Sequence, residues 1–151
     1  MNTEDKKFID IIDSTPLALI DLIVQNPKKE ILLGKRVNQP AQGYWFVPGG
    51  RIQKNETIRD AIKRISQTEI GVDLSDHDPG LLGASEHIYG DNFLDEPGIS
   101  THYVVLVFVI ELENEIMVSS DDQHSEMKWW TVEKLLGDET IHPNTREYFK
   151  S

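Results

Sequence analysis

The chain of 151 residues contains no cysteine, which excludes a disulfide framework and any thiolate chemistry, catalytic or metal-binding. It also lacks a long apolar run. The longest, Tyr103 to Ile110, falls far short of the roughly 20 residues that a membrane-spanning helix needs. The start, Met1-Asn2-Thr3-Glu4-Asp5-Lys6, is not a basic segment followed by an apolar one, so no secretory leader is expected and the expected location is the cytoplasm. Basic residues are scarce: 15 Lys and Arg against 26 Asp and Glu give a net charge of −11. Duplex binding needs clustered cations, so neither nucleic acid nor membrane is an expected partner. An anionic ligand would have to be held by local arginines or a metal ion, against an unfavourable overall field. No repeat, low-complexity tract or linker divides the chain, and its length suits one domain, residues 1–151, around one core.

Apolar periodicity and turn residues predict the order of elements. Residues 4–13 read as a helix with Phe8, Ile9, Ile11 and Ile12 on its apolar side. Strands follow at 17–25 and 30–36, across the turn Asn26-Pro27-Lys28-Lys29. A short aromatic strand at 44–47 runs into a Gly49-Gly50 turn and then a helix over 57–69. Strands are expected at 80–89, 101–112 and 127–131. The one at 101–112 is apolar on both faces, which implies a central strand covered by helices. Thr131 can cap a helix at 132–136, and Pro143 starts a last helix carrying Tyr148 and Phe149. Mixed strands with helices on both sides give an α/β fold, an α/β/α sandwich.

Chemistry concentrates around the helix that follows the two glycines. Ile58, Ala61, Ile62 and Ile65 are spaced by three and four residues, and one further step of four from Ile65 reaches Glu69. Asn55 or Thr57 can cap the start, Glu56 suits its positive end and Gly71 can close it. Glu69 thus lies on or beside the core-facing stripe. A buried acid is costly without a cation, so it either bridges to Arg64 or Lys63 at the helix rim or binds a metal.

The segment Gly50 to Val72, with Gly50, Glu56, Arg64, Glu69, Gly71 and Val72 in register, resembles the Nudix box, the strand-loop-helix metal motif of Nudix hydrolases. Ile65, Ser66 and Thr68 depart from it: Ile65 and Thr68 stand where the pattern has glutamates, Ser66 where it has an aliphatic. This set of losses resembles the GDP-mannose mannosyl hydrolase branch. So do Ser14-Thr15-Pro16-Leu17, Leu33-Gly34-Lys35-Arg36, the run Pro40 to Arg51, His87, Asp91-Asn92-Phe93, Thr101 to Val105 and Gln123-His124. The resemblance implies a Nudix fold and a hydrolase that cleaves a GDP-sugar such as GDP-mannose at the anomeric carbon, with inversion, releasing GDP and the β-sugar. It implies Mg²⁺, with Mn²⁺ possible, as a single ion per site, because two carboxylates are lost and Mg²⁺ takes only one or two beside phosphate oxygens. Two other readings stand beside it: a standard Nudix pyrophosphohydrolase attacking phosphorus, and a non-catalytic nucleotide-sugar binding module.

By the same resemblance, Glu69, the main-chain carbonyl of Gly49 and the side chain of Gln123 are the metal ligands. Arg36 and Arg51 grip the pyrophosphate, His124 is the general base, and Asp21, His87 and Tyr103 orient the sugar or assist charge placement. Glu56 and Arg64 hold the loop and helix. Each has a bland alternative in the sequence: Arg36 and Arg51 as surface cations, Asp21 paired with Arg36 or Lys35, His124 solvated in a polar loop. His77 and His142 are assigned to the surface and His102 to packing. The loop 89–98 is either a lid over the sugar or base or a plain excursion, and Phe93 or Tyr44 are candidates to stack on the base. The helix at 1–14 has no evident seat in such a core, and the resemblance implies a homodimer that it contacts.

Overall fold

The computed structural model describes residues 1–119 and 124–150, with the main chain alone at 124 and 125. The elements in chain order are α1 (Thr3–Ser14), β1 (Leu17–Gln25), β2 (Ile31–Arg36), β3 (Trp45–Phe46), β4 (Gly49–Arg51), α2 (Ile58–Ile70), β5 (Gly80–Tyr89), β6 (Thr101–Glu111), β7 (His124–Trp130), α3 (Val132–Leu136) and α4 (Pro143–Glu147). Strands order as β3-β2-β1-β6-β5 in a mixed sheet, with β4 paired to β1 and β7 to β2. β1 and β6 are parallel from Leu17↔Tyr103 to Gln25↔Glu111; the pairs of β1 with β2 and β4, and of β5 with β6, are antiparallel.

Alternation along the two central strands builds two cores. Ile20, Leu22 and Val24 with Phe108 and Ile110 meet Ala61, Ile62, Ile65 and Ile70 of α2 on one face. Ile23, Val105 and Val107 meet Leu135 of α3 and, past α4, Tyr148 and Phe149 on the other. The sandwich expected from the double-sided strand is the one observed. Among the described residues, no helix is long and apolar enough to cross a membrane.

Three local expectations are corrected, and one of two cap candidates is selected. Gly49-Gly50 is not a turn: with Arg51 it forms β4, with Leu19↔Arg51, Ile20↔Gly50 and Asp21↔Gly49 in register. A Cβ on Gly49 would overlap the Asp21 carboxylate and lie 2.6 Å from the Ile20 carbonyl oxygen, so only glycine lets β4 pair this closely. The cap of α2 is Thr57, whose hydroxyl accepts from the Asp60 N–H at 3.1 Å, while Asn55 sits in the loop at φ 68°, a conformation asparagine tolerates. Ile58 lies in the first turn of α2, off the buried stripe, and is 44 % exposed. The N-terminal helix does have a seat in its own chain: Ile9 and Ile12 are buried against Leu17, with Phe93, Leu94, Ile99 and Tyr103 around them.

Candidate active site

One cleft of about 450 Å³ gathers Asp21, Arg36, Gly49, Arg51, Glu69, His87 and Tyr103 in its lining, with Phe8 and Phe93 at its α1 side. Seven of the nine residues singled out from the sequence thus converge on it. The sheet does the gathering. Asp21 lies mid-strand in β1 opposite Gly49, and Tyr103 of β6 stands opposite His87 of β5. Arg36 ends β2, and Glu69 lies in the last turn of α2. Gln123 lies outside the described residues, as does the His124 side chain; the His124 main chain pairs with that of Arg36.

Asp21 forms one wall. It is buried and accepts a hydrogen bond from the Tyr148 hydroxyl, Oη to Oδ2, at 2.6 Å. Burial raises its pKa to about 7, although the Tyr148 hydrogen bond pulls the other way. The phenol oxygen is also 3.3 Å from His87 Nε2, and Ser85 Oγ is 3.4 Å from the same nitrogen. Burial lowers the pKa of His87 and raises that of Tyr103. The alternative in which Asp21 pairs with Arg36 is not the arrangement observed: the Arg36 guanidinium donates instead to the carbonyls of Pro40 at 2.8 Å and Gln39 at 3.2 Å. Those carbonyls accept two donors and hold the fork in the cleft.

The strand and helix of the motif bring Gly49, Gly50, Arg51 and Glu69 to the lining. Arg64 makes two contacts to Glu56, at 2.8 and 2.9 Å, and donates to the Arg51 carbonyl at 2.6 Å. Glu56 also accepts from the Gln53 N–H at 3.0 Å. The Arg64 hydrogen bond, then the Gln53 amide, hold the Glu56 pKa down at about 2. Arg64 is thereby committed to Glu56 and the Arg51 carbonyl, not to Glu69. Glu69 is 5 % exposed at the cleft. The Arg51 guanidinium lies 4.1 Å over the Phe8 ring, a cation–π contact, and desolvation lowers its pKa.

Two of the three replaced positions of the motif are buried. Ile65 is 1 % exposed in the core, and a Cβ on Gly50 would meet its Cγ1 at 3.1 Å. Buried Ser66 accepts from the Leu74 N–H at 2.9 Å, and Thr68 faces solvent. Among the described residues no cluster of three His, Cys, Asp or Glu side chains suits a metal. The donors that do line the cleft, the Glu69 carboxylate with Gly49 beside Asp21, are hard oxygens, which suit a divalent ion such as Mg²⁺.

Several residues take places that the sequence did not indicate. His142, expected at the surface, stacks on Phe46 (4.8 Å, 21°) and meets Tyr44 edge-on at 5.0 Å. Its Nδ1 accepts from the Asn144 N–H at 3.1 Å, and burial lowers its pKa to about 4. The hint was its place directly before Pro143 at a helix start. Tyr148 was expected only as part of the last helix, which in fact ends at Glu147. His102, expected to pack, pairs with Glu86 at 2.9 Å, and His77 is exposed as expected. The 89–98 loop is tied down by buried Asn92, which donates to the carbonyls of Glu96 and Ile99 and accepts from the N–H groups of Leu94 and Glu96. Phe93 reaches the cleft, whereas Tyr44 is not among its lining residues.

The NUDIX domain family model matches residues 16–151. The chain is similar to the low-salt glycan biosynthesis protein Agl8 of Haloferax volcanii, 37% identical over 145 residues, 95% of this chain and 86% of that protein. It is 31% identical over 107 residues to an ADP-ribose pyrophosphatase of Methanocaldococcus jannaschii, covering 71% of this chain and 57% of that one. A solved structure of a MutT NUDIX hydrolase from Burkholderia pseudomallei matches with a TM-score of 0.72 at 25% identity, over 90% of this chain and 97% of that chain.

Proposed function

The chain belongs to the Nudix hydrolase family, and we propose that within it the protein is a Mg²⁺-dependent GDP-sugar hydrolase acting on GDP-mannose at the anomeric carbon. The observation that carries this reading is the reduced acid set of the cleft. Ile65 is in the core and Thr68 faces solvent, so Glu69 is the one acid of the motif that lines the cleft. A relative named for glycan biosynthesis supports a sugar-linked substrate.

The roles follow from charge placement. Glu69, the Gly49 carbonyl and the Gln123 side chain would hold the ion, whose chemistry is to neutralise diphosphate charge. Arg36 and Arg51 add planar donors that suit phosphate oxygens. GDP then departs without a general acid, in place of the acid carboxyl of ordinary inverting glycoside hydrolysis. His124 takes a proton from the attacking water, a task that suits a neutral imidazole near pH 7. Its main chain beside Arg36 supports a position at the cleft. Asp21, His87 and Tyr103 orient the sugar from the other wall. Phosphorus attack is the second reading, favoured by the similarity to an ADP-ribose pyrophosphatase.

Proton and phosphorus NMR of GDP-mannose with the protein and Mg²⁺ separates these. GDP with free β-mannose supports carbon attack; GMP with mannose 1-phosphate refutes it in favour of phosphorus attack; binding without turnover leaves a nucleotide-sugar binding module. The His124→Ala variant should lose about 10²–10⁴-fold in rate with substrate affinity kept. The homodimer belongs to the same reading, supported by Ile11 of α1, still 40 % exposed; a monomeric mass by sedimentation would remove it.

A further inference from the structure

We propose that Tyr148 is a positioning residue of this site, fixing the Asp21 carboxylate and the His87 ring in one hydrogen-bonded chain. The proposal rests on the reading of Asp21 and His87 as sugar-orienting groups.

Asp21 and Tyr148 are 127 residues apart in sequence, and the C-terminal segment brings them together. α4 is capped by His142, which packs on Phe46 and lies 5.5 Å from the Tyr89 ring. Asn144 then donates to the Tyr89 hydroxyl at 3.1 Å, and Tyr148 and Phe149 pack on the core that holds Ile23 and Val105. Three side chains of this segment, His142, Asn144 and Tyr148, thus hold Phe46, Tyr89 and Asp21, of which each lines the cleft. Tyr148 is not among the lining residues, so it acts through its neighbours.

Its geometry divides the work of the carboxylate. The phenol donates to Oδ2 at 2.6 Å, while Oδ1 is the oxygen that a Cβ on Gly49 would strike. Oδ2 is therefore committed to Tyr148, and Oδ1 lies over the glycine at the cleft floor. A phenol has one proton. Since Tyr148 gives it to Asp21, its oxygen can only accept from His87 Nε2, 3.3 Å away. That selects the Nε2–H tautomer of His87 and sets its ring plane, 6.0 Å and 32° from the Tyr148 ring. Removing one hydroxyl would free both groups at once.

The test is a cycle of Tyr148→Phe, Asp21→Asn and the double variant, with GDP-mannose turnover, GDP affinity and the ¹⁵N spectrum of the His87 ring as readouts. Phenylalanine keeps the ring packing, and an unchanged fold is checked by circular dichroism. Tyr148→Phe should lower kcat/KM on GDP-mannose by roughly 3- to 100-fold, the range for a lost hydrogen bond to a neutral or an ionised carboxyl group. Affinity for GDP, which has no sugar, should not change. The double variant should be no worse than Asp21→Asn, because the two side chains act as a unit. Additive losses, or GDP affinity falling in step with kcat/KM, would overturn the proposal. If the wild-type protein does not cleave GDP-mannose, the GDP-sugar reading fails. The positioning is then judged in the free protein: a moved His87 ring spectrum in Tyr148→Phe sustains it, and an unmoved one overturns it.

Discussion

Gly49→Ala is the smallest change that strains the floor of the cleft. The added Cβ would overlap Asp21 Oδ1 and stand 2.6 Å from the Ile20 carbonyl oxygen. The carboxylate can rotate, though only by leaving Tyr148. The carbonyl cannot: it belongs to β1, held by β6 along its whole length. Ordinary contact begins at 3.4 Å, so β4 must withdraw by about 0.8 Å. Overpacking of this kind costs about 1–3 kcal/mol, equivalent to a melting temperature lower by roughly 2–12 °C for a domain of this size. On the proposed reading the Gly49 carbonyl and Asp21 both serve the reaction, and a displacement near 1 Å there would cost on the order of 10²-fold in rate. Calorimetry and GDP-mannose turnover measure the two effects. Gly50→Ala is the control, since its Cβ would meet only the Ile65 side chain, at 3.1 Å and with no backbone atom in the way, and should do less damage on both counts. An alanine at 49 with wild-type melting temperature and kcat/KM would refute the close-approach reasoning.

Arg64→Met should cost about 1 kcal/mol at pH 6, after allowing for the partial exposure of Arg64. Because the pair depresses Glu56 from 4.5 to about 2, its contribution is complete above pH 4.5 and is lost as pH falls toward 2. Urea midpoints of variant and wild type should therefore converge on acidification; a constant gap would assign the loss to packing alone. His142 should titrate near 4 by NMR, as burial against its aromatic neighbours disfavours the cation. The unfolded chain binds that proton more readily, so the His142 contribution is complete above 6.5 and declines as pH falls toward 4; a midpoint at 6.5 would mean an open ring. Glu69→Gln keeps the size of the side chain and removes its charge, and should raise the Mg²⁺ concentration for half-maximal turnover by at least about tenfold. An unchanged metal requirement would remove Glu69 from the ligand set.

The elements were legible where local chemistry decides them. The 3.6-residue stripe of α2 and its Gly71 stop, at φ 88°, need no tertiary information. Nor does the double-sided run of β6, which can only be central. The cleft residues were legible through their resemblance to a family pattern, because composition and spacing leave Arg36 and Arg51 as two cations among fifteen. What the sequence hid depends on distant approach. Gly49-Gly50 has the local character of a turn, and β4 exists because β1 supplies a partner and the missing Cβ admits it. Tyr148 meets Asp21 only once α3 and α4 have closed the second core. His142 looks like any polar residue before a proline until Phe46 and Tyr89 are brought to it by β3 and β5.

The departures from the family motif and the proposed chemistry have one physical origin. The inward positions of α2 are filled by structural tasks: Ile65 seals the core under Gly50, Ser66 receives the Leu74 amide, and Arg64 closes on Glu56 and the Arg51 carbonyl. A carboxylate at Ile65 would be buried among Ile20, Leu22 and Ile62, a site costly to charge without several cations. The cleft lining instead holds two guanidiniums, Arg36 and Arg51, with the acids Glu69 and Asp21, of which Asp21 has its pKa raised by burial to about 7. That set, with one metal ion on Glu69, would suit neutralising the charge of a departing diphosphate. It suits less well the assembly of the several metals that direct water at phosphorus. With the leaving group stabilised in this way, the remaining demand is one base on the far side of the sugar. On the proposed reading, the wall of Asp21, Tyr148 and His87 would hold the sugar still while that base works.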